Sequence, residues 1–69
     1  MNIFTERLNA LIKENKITKK NLADAIGASK ALVTIWTQGK SLPNLIYLKK
    51  IADFFCVCSD YLIGRQDWY

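Results

Sequence analysis

The sequence predicts an all-α fold, a compact bundle of five short helices. Apolar residues recur at spacings of three and four through most of the chain, which is the period of a buried helix face; Phe4, Leu8 and Leu11 begin the series. The three glycines and the single proline fall between these periodic segments and not inside them. A length of 69 residues allows one domain with a small core.

The first two helices are predicted over residues 2–14 and 19–26. Asn2 is a suitable cap for the first, and Thr18 for the second, because side-chain oxygens of these residue types accept from free amides at a helix start. Asn21 stands where a capping box carries Glu or Gln, so we expect a weaker cap at Thr18 than the full motif gives.

A tight corner is predicted between the second and third helices. Gly27 ends the second helix, because glycine takes the left-handed conformation without a Cβ penalty. Ser29 can cap the next helix, so the chain turns in about three residues, as helix-turn-helix units do. We expect a bulky residue at Gly27 or Ala28 to push the two helices apart.

The third helix is predicted from residue 29 to residue 37 or 38. Val33 and Trp36 are three residues apart and can both face the core. A second stripe of the same helix carries small or uncharged side chains, which is unusual for a helix surface that only meets water. It consists of Ala31, Thr34, Ile35 and Gln38.

Two more helices follow a loop that contains Pro43. Asn44 should cap a helix that runs to about residue 55, and Ser59 should cap a last short helix over residues 60–63. Leu42 is expected to tuck under the core. The residues of the fourth helix expected to face inward are Leu45, Leu48, Ile51, Ala52 and Phe55.

Positive charge is concentrated in the middle of the chain. The net charge is +4, but residues 13–50 hold eight lysines against Glu14 and Asp24, a net of +6, whereas residues 51–69 hold a net of −2. Such a concentration suits a protein that meets phosphates. It also suits a helix surface that is merely solvated by lysines.

Several classes of function are not favoured. The chain has no histidine, the commonest general base and metal ligand, and no carboxylate pair on a common face, so we expect no enzyme, no cofactor and no metal site. Cys56 and Cys58 are expected to be small apolar fillers in a reducing cytosol. No signal peptide and no run of about 20 apolar residues is visible, which predicts a cytoplasmic protein without membrane contact.

The residues match a family pattern from Phe4 to Gly64. The stretch LADAIGASKALVTIWTQGK, followed by Pro43 and the ending DYLIG, resembles the phage-repressor-like (Xre) helix-turn-helix DNA-binding domains. The resemblance implies a lambda-repressor-like domain over residues 1–64, with the third helix in the major groove of double-stranded DNA. It implies a sequence-specific transcriptional regulator, most plausibly a repressor of phage or mobile-element type, and no small-molecule ligand.

The resemblance also implies residue roles, by position in the motif. Base edges would be faced by Ser29, Lys30, Ala31, Thr34 and Ile35. Phosphates would be held by Thr18, Lys19, Gln38, Lys40, Ser41 and Asn44. Ala31 and Ile35 are apolar where polar readers are common in the family, which favours contacts with thymine methyl groups over amide-to-adenine readout. Lys30 can donate to guanine or reach a phosphate.

Two questions remain open from the sequence. A single recognition helix makes few base contacts, so we expect a homodimer on a palindromic operator, and the aromatic tail over residues 65–69 is a possible dimer contact. The alternative function is a protein-binding module on the same fold, such as an antitoxin or an anti-repressor partner.

Overall fold

A computed structural model describes residues 2–69 and confirms the predicted five-helix, all-α fold. No strand occurs within these residues. The helices are α1 (Ile3–Glu14), α2 (Lys19–Ile26), α3 (Lys30–Thr37), α4 (Leu45–Phe55) and α5 (Ser59–Leu62). None of the described helices is long and apolar enough to cross a membrane.

The core lies between the apolar faces of all five helices. Trp36 of α3 is its largest fully buried side chain, and its ring packs on Tyr47 of α4 with centroids 5.4 Å apart. The buried apolar residues are Phe4, Leu8, Leu11, Leu22, Ala23, Ile26, Val33, Trp36, Ile51, Ala52, Val57 and Leu62. Helix α3 is therefore fixed from behind by the core, which leaves its opposite side to solvent.

Two polar side chains of α1 hold the end of α3. The last carbonyls of a helix have no partner within the helix. The Thr5 hydroxyl donates to the Trp36 carbonyl oxygen at 3.2 Å, and the Asn9 amide donates to the Thr37 carbonyl oxygen at 3.0 Å. Thr5 is fully buried, so this bond forms inside the core. Neither contact is predicted by the sequence, because the partners lie about 30 residues apart along the chain.

The cap of α2 is stronger than the sequence predicted. The Thr18 hydroxyl oxygen accepts from the Asn21 N–H at 3.0 Å, and the Asn21 Oδ1 accepts from the Thr18 N–H at 3.1 Å. This is a complete capping box. The prediction of a weaker cap was wrong, because the Asn side chain reaches back to the Thr18 N–H as Glu or Gln does.

The corner between α2 and α3 has the predicted left-handed glycine, but the expected crowding around that glycine is absent. Gly27 has φ 75° and ψ 27°, the left-handed conformation, and Ser29 caps α3 by accepting from the Leu32 N–H at 3.1 Å. A Cβ at Gly27 would meet no atom within 4 Å. The expected crowding at Gly27 was therefore wrong, and backbone conformation alone requires a glycine there.

Two leucines predicted to face the core are on the surface. Leu42 is 59% exposed and Leu45 is 82% exposed. Asn44 caps α4 as predicted, accepting from the Tyr47 N–H at 2.9 Å, but Leu45, the first residue of α4, lies on the solvent side of the helix. The inward side of α4 begins at Tyr47 and Leu48, which are partly buried against the core.

The predictions for the start of α5 and for the cysteines also need correction. Ser59 is the first residue of α5, and the extended Cys58 precedes it as a cap without a side-chain bond. Cys56 is exposed and takes the left-handed conformation that ends α4, so it is not a core filler; Cys58 is half-buried. Val57, between them, is buried.

The C-terminal tail folds back on α1. The Arg7 guanidinium donates to the carbonyl oxygens of Tyr61 and Gln66, the latter at 2.6 Å, and forms an ion pair with Asp67 at 3.3 Å. It also lies over the Tyr61 ring, 4.2 Å from the centroid. These contacts tie residues 65–67 to the helical bundle.

Tyr69 makes the last attachment of the tail. Its hydroxyl donates to Glu14 Oε2 at 2.9 Å, and its ring meets that of Tyr61 edge-on at 4.9 Å between centroids. The hydrogen bond to Glu14 raises the pKa of Tyr69, because it stabilises the protonated phenol. Trp68 points outward and is 70% exposed.

Candidate nucleic-acid interface

Helix α3 has one buried side and one open side. Val33, Trp36 and Thr37 face the core, whereas Ala31 and Gln38, seven residues apart, lie on the opposite side and are exposed. Thr37 donates its hydroxyl hydrogen to the Thr34 carbonyl oxygen at 2.9 Å and so keeps its side chain within the helix. The open side therefore carries uncharged side chains, and the short side chain of Ala31 leaves the helix backbone accessible to a partner.

The predicted base-facing residues differ in how much surface they offer. Lys30 and Ala31 are exposed, at the first turn of α3, and Ser29 is exposed at the cap. Thr34 and Ile35 are half-buried, and Ile35 packs against the core. Their base contacts remain predictions, and Ile35 has only part of its side chain free for one.

The start of α2 offers amides to an anion. The capping box uses the Asn21 N–H, and the Leu22 N–H bonds to the Thr18 carbonyl oxygen at 3.2 Å. The Lys19 and Lys20 N–H groups are the two at this helix end that such caps leave open. With the positive end of the helix dipole, they form a suitable place for a phosphate. Lys19 is half-buried beside them.

The loop that follows α3 supplies polar groups at the other end of the helix-turn-helix unit from the start of α2. Gly39 has φ 76°, and the Lys40 N–H closes the end of α3 on the Ile35 carbonyl oxygen at 3.2 Å. Asn44 uses its Oδ1 to cap α4, which leaves its Nδ2 amide to donate outward. The predicted phosphate contacts that are exposed in and around this loop are Gln38, Lys40, Ser41 and Asn44.

Ion pairs neutralise lysines away from the predicted site residues. Lys20 bonds to Asp24 at 2.8 Å and Lys49 to Asp53 at 2.9 Å, one turn along α2 and α4 respectively. The hydrogen bond to the carboxylate, followed by its charge, raises the pKa of each lysine. Within residues 2–69, no ion pair is formed by Lys19, Lys30 or Lys40. These three charges are therefore available to phosphates.

The chain is similar to known regulators over most of its length. It matches the model of the Cro/C1-type helix-turn-helix DNA-binding domain over residues 7–57. It is 33% identical to the HTH-type transcriptional activator BcrR of Enterococcus faecalis, covering 93% of this chain and 31% of that protein. It is 31% identical to the HTH-type transcriptional regulator YqaE of Bacillus subtilis (strain 168), covering 93% of this chain and 55% of that protein. The chain thus spans 31% of the length of one of these relatives and 55% of the other.

Solved structures share the fold. The P22 c2 repressor, crystallised with a synthetic operator, superposes with a TM-score of 0.88 at 24% identity, covering 96% of this chain and all of that one. The LexA repressor of Eubacterium rectale superposes with a TM-score of 0.86 at 31% identity, covering 88% of this chain and 65% of that one. The match over residues 7–57 of 69 is the decisive finding: the chain belongs to the family of Cro/C1-type helix-turn-helix DNA-binding domains.

Proposed function

We propose that this protein is a sequence-specific transcriptional regulator that inserts α3 into the major groove of double-stranded DNA. One observation carries the proposal: the side of α3 that faces away from the core is exposed and uncharged, and the lysines within and beside α3, Lys30 and Lys40, form no ion pair. A helix that enters the groove needs small residues where its backbone approaches the bases and cations where it passes the phosphates.

Base readout is assigned to the first two turns of α3. Ala31 and the free part of Ile35 present methyl groups, which suit the methyl of thymine in the major groove. Lys30 at the first turn is exposed and can donate to guanine O6 and N7. Ser29 and Thr34 add hydroxyl groups. The readout thus depends on methyl contacts and shape more than on amide pairs.

Phosphates are assigned to the two segments that flank α3. On one side, the open amides of α2 and the Lys19 ammonium group meet the same anion, with the Thr18 hydroxyl beside them. On the other side, Lys40, Ser41 and the Nδ2 group of Asn44 hold the backbone, and Gln38 donates from the end of α3. These contacts fix the register of the helix and carry no sequence information.

We further propose that two copies bind a palindromic operator in the cytoplasm and repress transcription, with no enzymatic activity and no cofactor. The relatives are a transcriptional activator, a transcriptional regulator and two repressors, which favours regulation over the alternative of a protein-binding module. One relative is named an activator, so the direction of regulation is tested by a reporter gene behind the operator. If the protein is a repressor, supplying it should lower the expression of the reporter gene. A rise in that expression would contradict repression.

A salt titration of DNA binding tests the main proposal. Affinity for a duplex, measured by fluorescence anisotropy, should fall as salt rises, with a log–log slope of about −0.9 for each phosphate contacted. A protein-binding module without DNA contact would show no affinity at any salt concentration. Absence of binding at low salt would therefore contradict the proposal.

A further inference from the structure

A groove without charge lies beside the proposed DNA-binding surface. It has a volume of about 280 Å³. Its polar lining residue, Asn2, already uses its Oδ1 to accept from the Thr5 N–H at 2.8 Å. We call this feature the aliphatic groove; it is lined by Asn2, Ile3, Phe4, Leu42, Pro43, Leu48 and Ile63.

An exposed leucine stands next to the aliphatic groove. Leu45 is 82% exposed, the highest value among the large apolar residues, and lies one turn before Leu48, which lines the groove. Leu42, Ile3 and Ile63 in the lining are themselves 59%, 40% and 44% exposed. A protruding aliphatic side chain and an aliphatic recess therefore lie side by side on one surface.

Such a surface fits a copy of itself. In a two-fold symmetric interface the same patch meets itself, so a charged patch repels its copy and an uncharged patch with a knob beside a hole is self-complementary. A connected apolar surface that remains exposed is typical of a protein interaction site. A nucleic acid or an acidic peptide would find no cation in the lining of this groove.

The position of the groove also suits a second copy. Leu42 and Pro43 lie in the same loop as Lys40, Ser41 and Asn44, which are assigned to phosphates. Two copies joined through this loop would bring their proposed phosphate contacts next to each other. Both recognition helices could then address one side of a duplex, which two half-sites about 34–36 Å apart require.

We propose that the aliphatic groove is the homodimer interface, with Leu45 of each copy seated in the groove of the other. The choice of a second copy as occupant rests on the proposed function, since an operator with two half-sites needs two recognition helices. This surface differs from the one that the sequence predicts, in which the possible dimer contact is the tail over residues 65–69.

The C-terminal tail, residues 65–69, supports the proposed interface through contacts within the same chain. Gln66, Asp67 and Tyr69 are bonded within the chain, the first two to Arg7 and the third to Glu14. Through Arg7 the tail also holds α5, at whose end Ile63 lines the groove and Gly64 packs on Ile3. A Cβ at Gly64 would lie 2.9 Å from Ile3 Cγ2, so this approach is close. The tail is thus a strap that shapes the interface from the side of α1.

Sedimentation equilibrium without DNA, at concentrations up to about millimolar, tests the proposal on the full chain. The wild type should rise from a mass of 7.9 kDa toward twice that value. Leu45→Ser should weaken dimerisation at least tenfold without unfolding, because the side chain is outside the core. Ile46→Ser is the matched control: it removes an aliphatic side chain of 67% exposure that points about a quarter-turn away around α4. Trp68→Ser tests, by the same measurement, whether the C-terminal tail forms the dimer contact.

The outcomes separate the interface from the proposed function. Loss of dimer in Leu45→Ser alone supports the groove, whether or not the protein binds DNA. A wild type that stays monomeric, an unchanged Leu45→Ser, an equal loss in Ile46→Ser, or a loss confined to Trp68→Ser would each overturn it. DNA affinity of the same variants is measured separately on a duplex with one half-site; Leu45→Ser should bind it within about twofold of the wild type. Failure of every variant and the wild type to bind DNA would reject the proposed function and leave the sedimentation result standing.

Discussion

The open side of α3 and the aliphatic groove are both exposed surfaces, yet they differ in chemistry and in origin. The first is flanked by unpaired lysines and comes from one continuous stretch, residues 18–40. The second carries no charge and is assembled from the start of α1, the segment 42–48 and Ile63. The comparison shows what helical periodicity can predict. It can predict a surface that lies within one segment of the sequence, but it cannot predict a surface that three distant segments form together.

Replacing Trp36 should remove the support that both surfaces share, and this is the largest effect we expect. Trp36→Ala empties the centre of the core, so the free energy of unfolding should fall by about 3–5 kcal/mol. Urea unfolding followed by circular dichroism measures it. The matched control is Trp68→Ala, which changes an exposed tryptophan and should cost about 0.5 kcal/mol or less. Equal losses in the two variants would contradict this description of the core.

Changing Gly27 should affect the α3 surface through the backbone alone. Gly27→Ala forces a left-handed alanine and should cost about 1–2 kcal/mol. Gly27→Asn should cost less, since Asn tolerates this conformation and open space surrounds the Cβ position. The same unfolding experiment compares the two. If Gly27→Asn lowered the free energy of unfolding more than Gly27→Ala, crowding by the larger side chain would explain the loss, and the account based on backbone conformation would be contradicted.

Removing single lysines should weaken DNA binding and leave the groove unaffected. Lys19→Ala and Lys40→Ala should each lower affinity for all sequences and make the salt slope shallower by about one unit. Lys49→Ala, which removes a lysine paired with Asp53, should leave the slope unchanged. Anisotropy titrations at several salt concentrations give the slopes. An unchanged slope in Lys19→Ala would reject the phosphate contact at the start of α2.

The smallest effect concerns the strap beside the groove. Because the bond to Glu14 raises the pKa of Tyr69 above its usual 10.0, the folded state holds this proton more tightly than the unfolded chain. The stabilisation is therefore complete below about pH 10 and is lost as pH rises through the raised pKa. NMR titration of the Tyr69 ring measures this, and Glu14→Gln should lower the pKa. A Tyr69 pKa at or below that of free tyrosine would show that the strap is not closed.

Local patterns in the sequence predicted most of the fold. The spacing of apolar residues and the caps Asn2, Thr18, Ser29 and Asn44 located four helices, because these signals act within one or two turns. The core position of Trp36 followed from the same spacing.

What the sequence could not predict depended on neighbours far along the chain. Leu45 fits the apolar period of α4, but its burial needed a neighbouring helix on its side of that turn, and it is 82% exposed. Thr5 and Asn9 bond to α3 from about 30 residues away, a separation that no local pattern records. The contacts of Arg7 with the tail, across more than 50 residues, escaped prediction for the same reason.

The central claim, that the open side of α3 reads DNA sequence, is tested most directly by selecting bound duplexes from a random pool. The wild type should select one preferred sequence, and Ala31→Gln should change it at one base pair per half-site, toward adenine. Lys40→Ala should select the wild-type sequence with weaker affinity, since its contact is to phosphate. An Ala31→Gln variant that selects the same sequence as the wild type would contradict the claim.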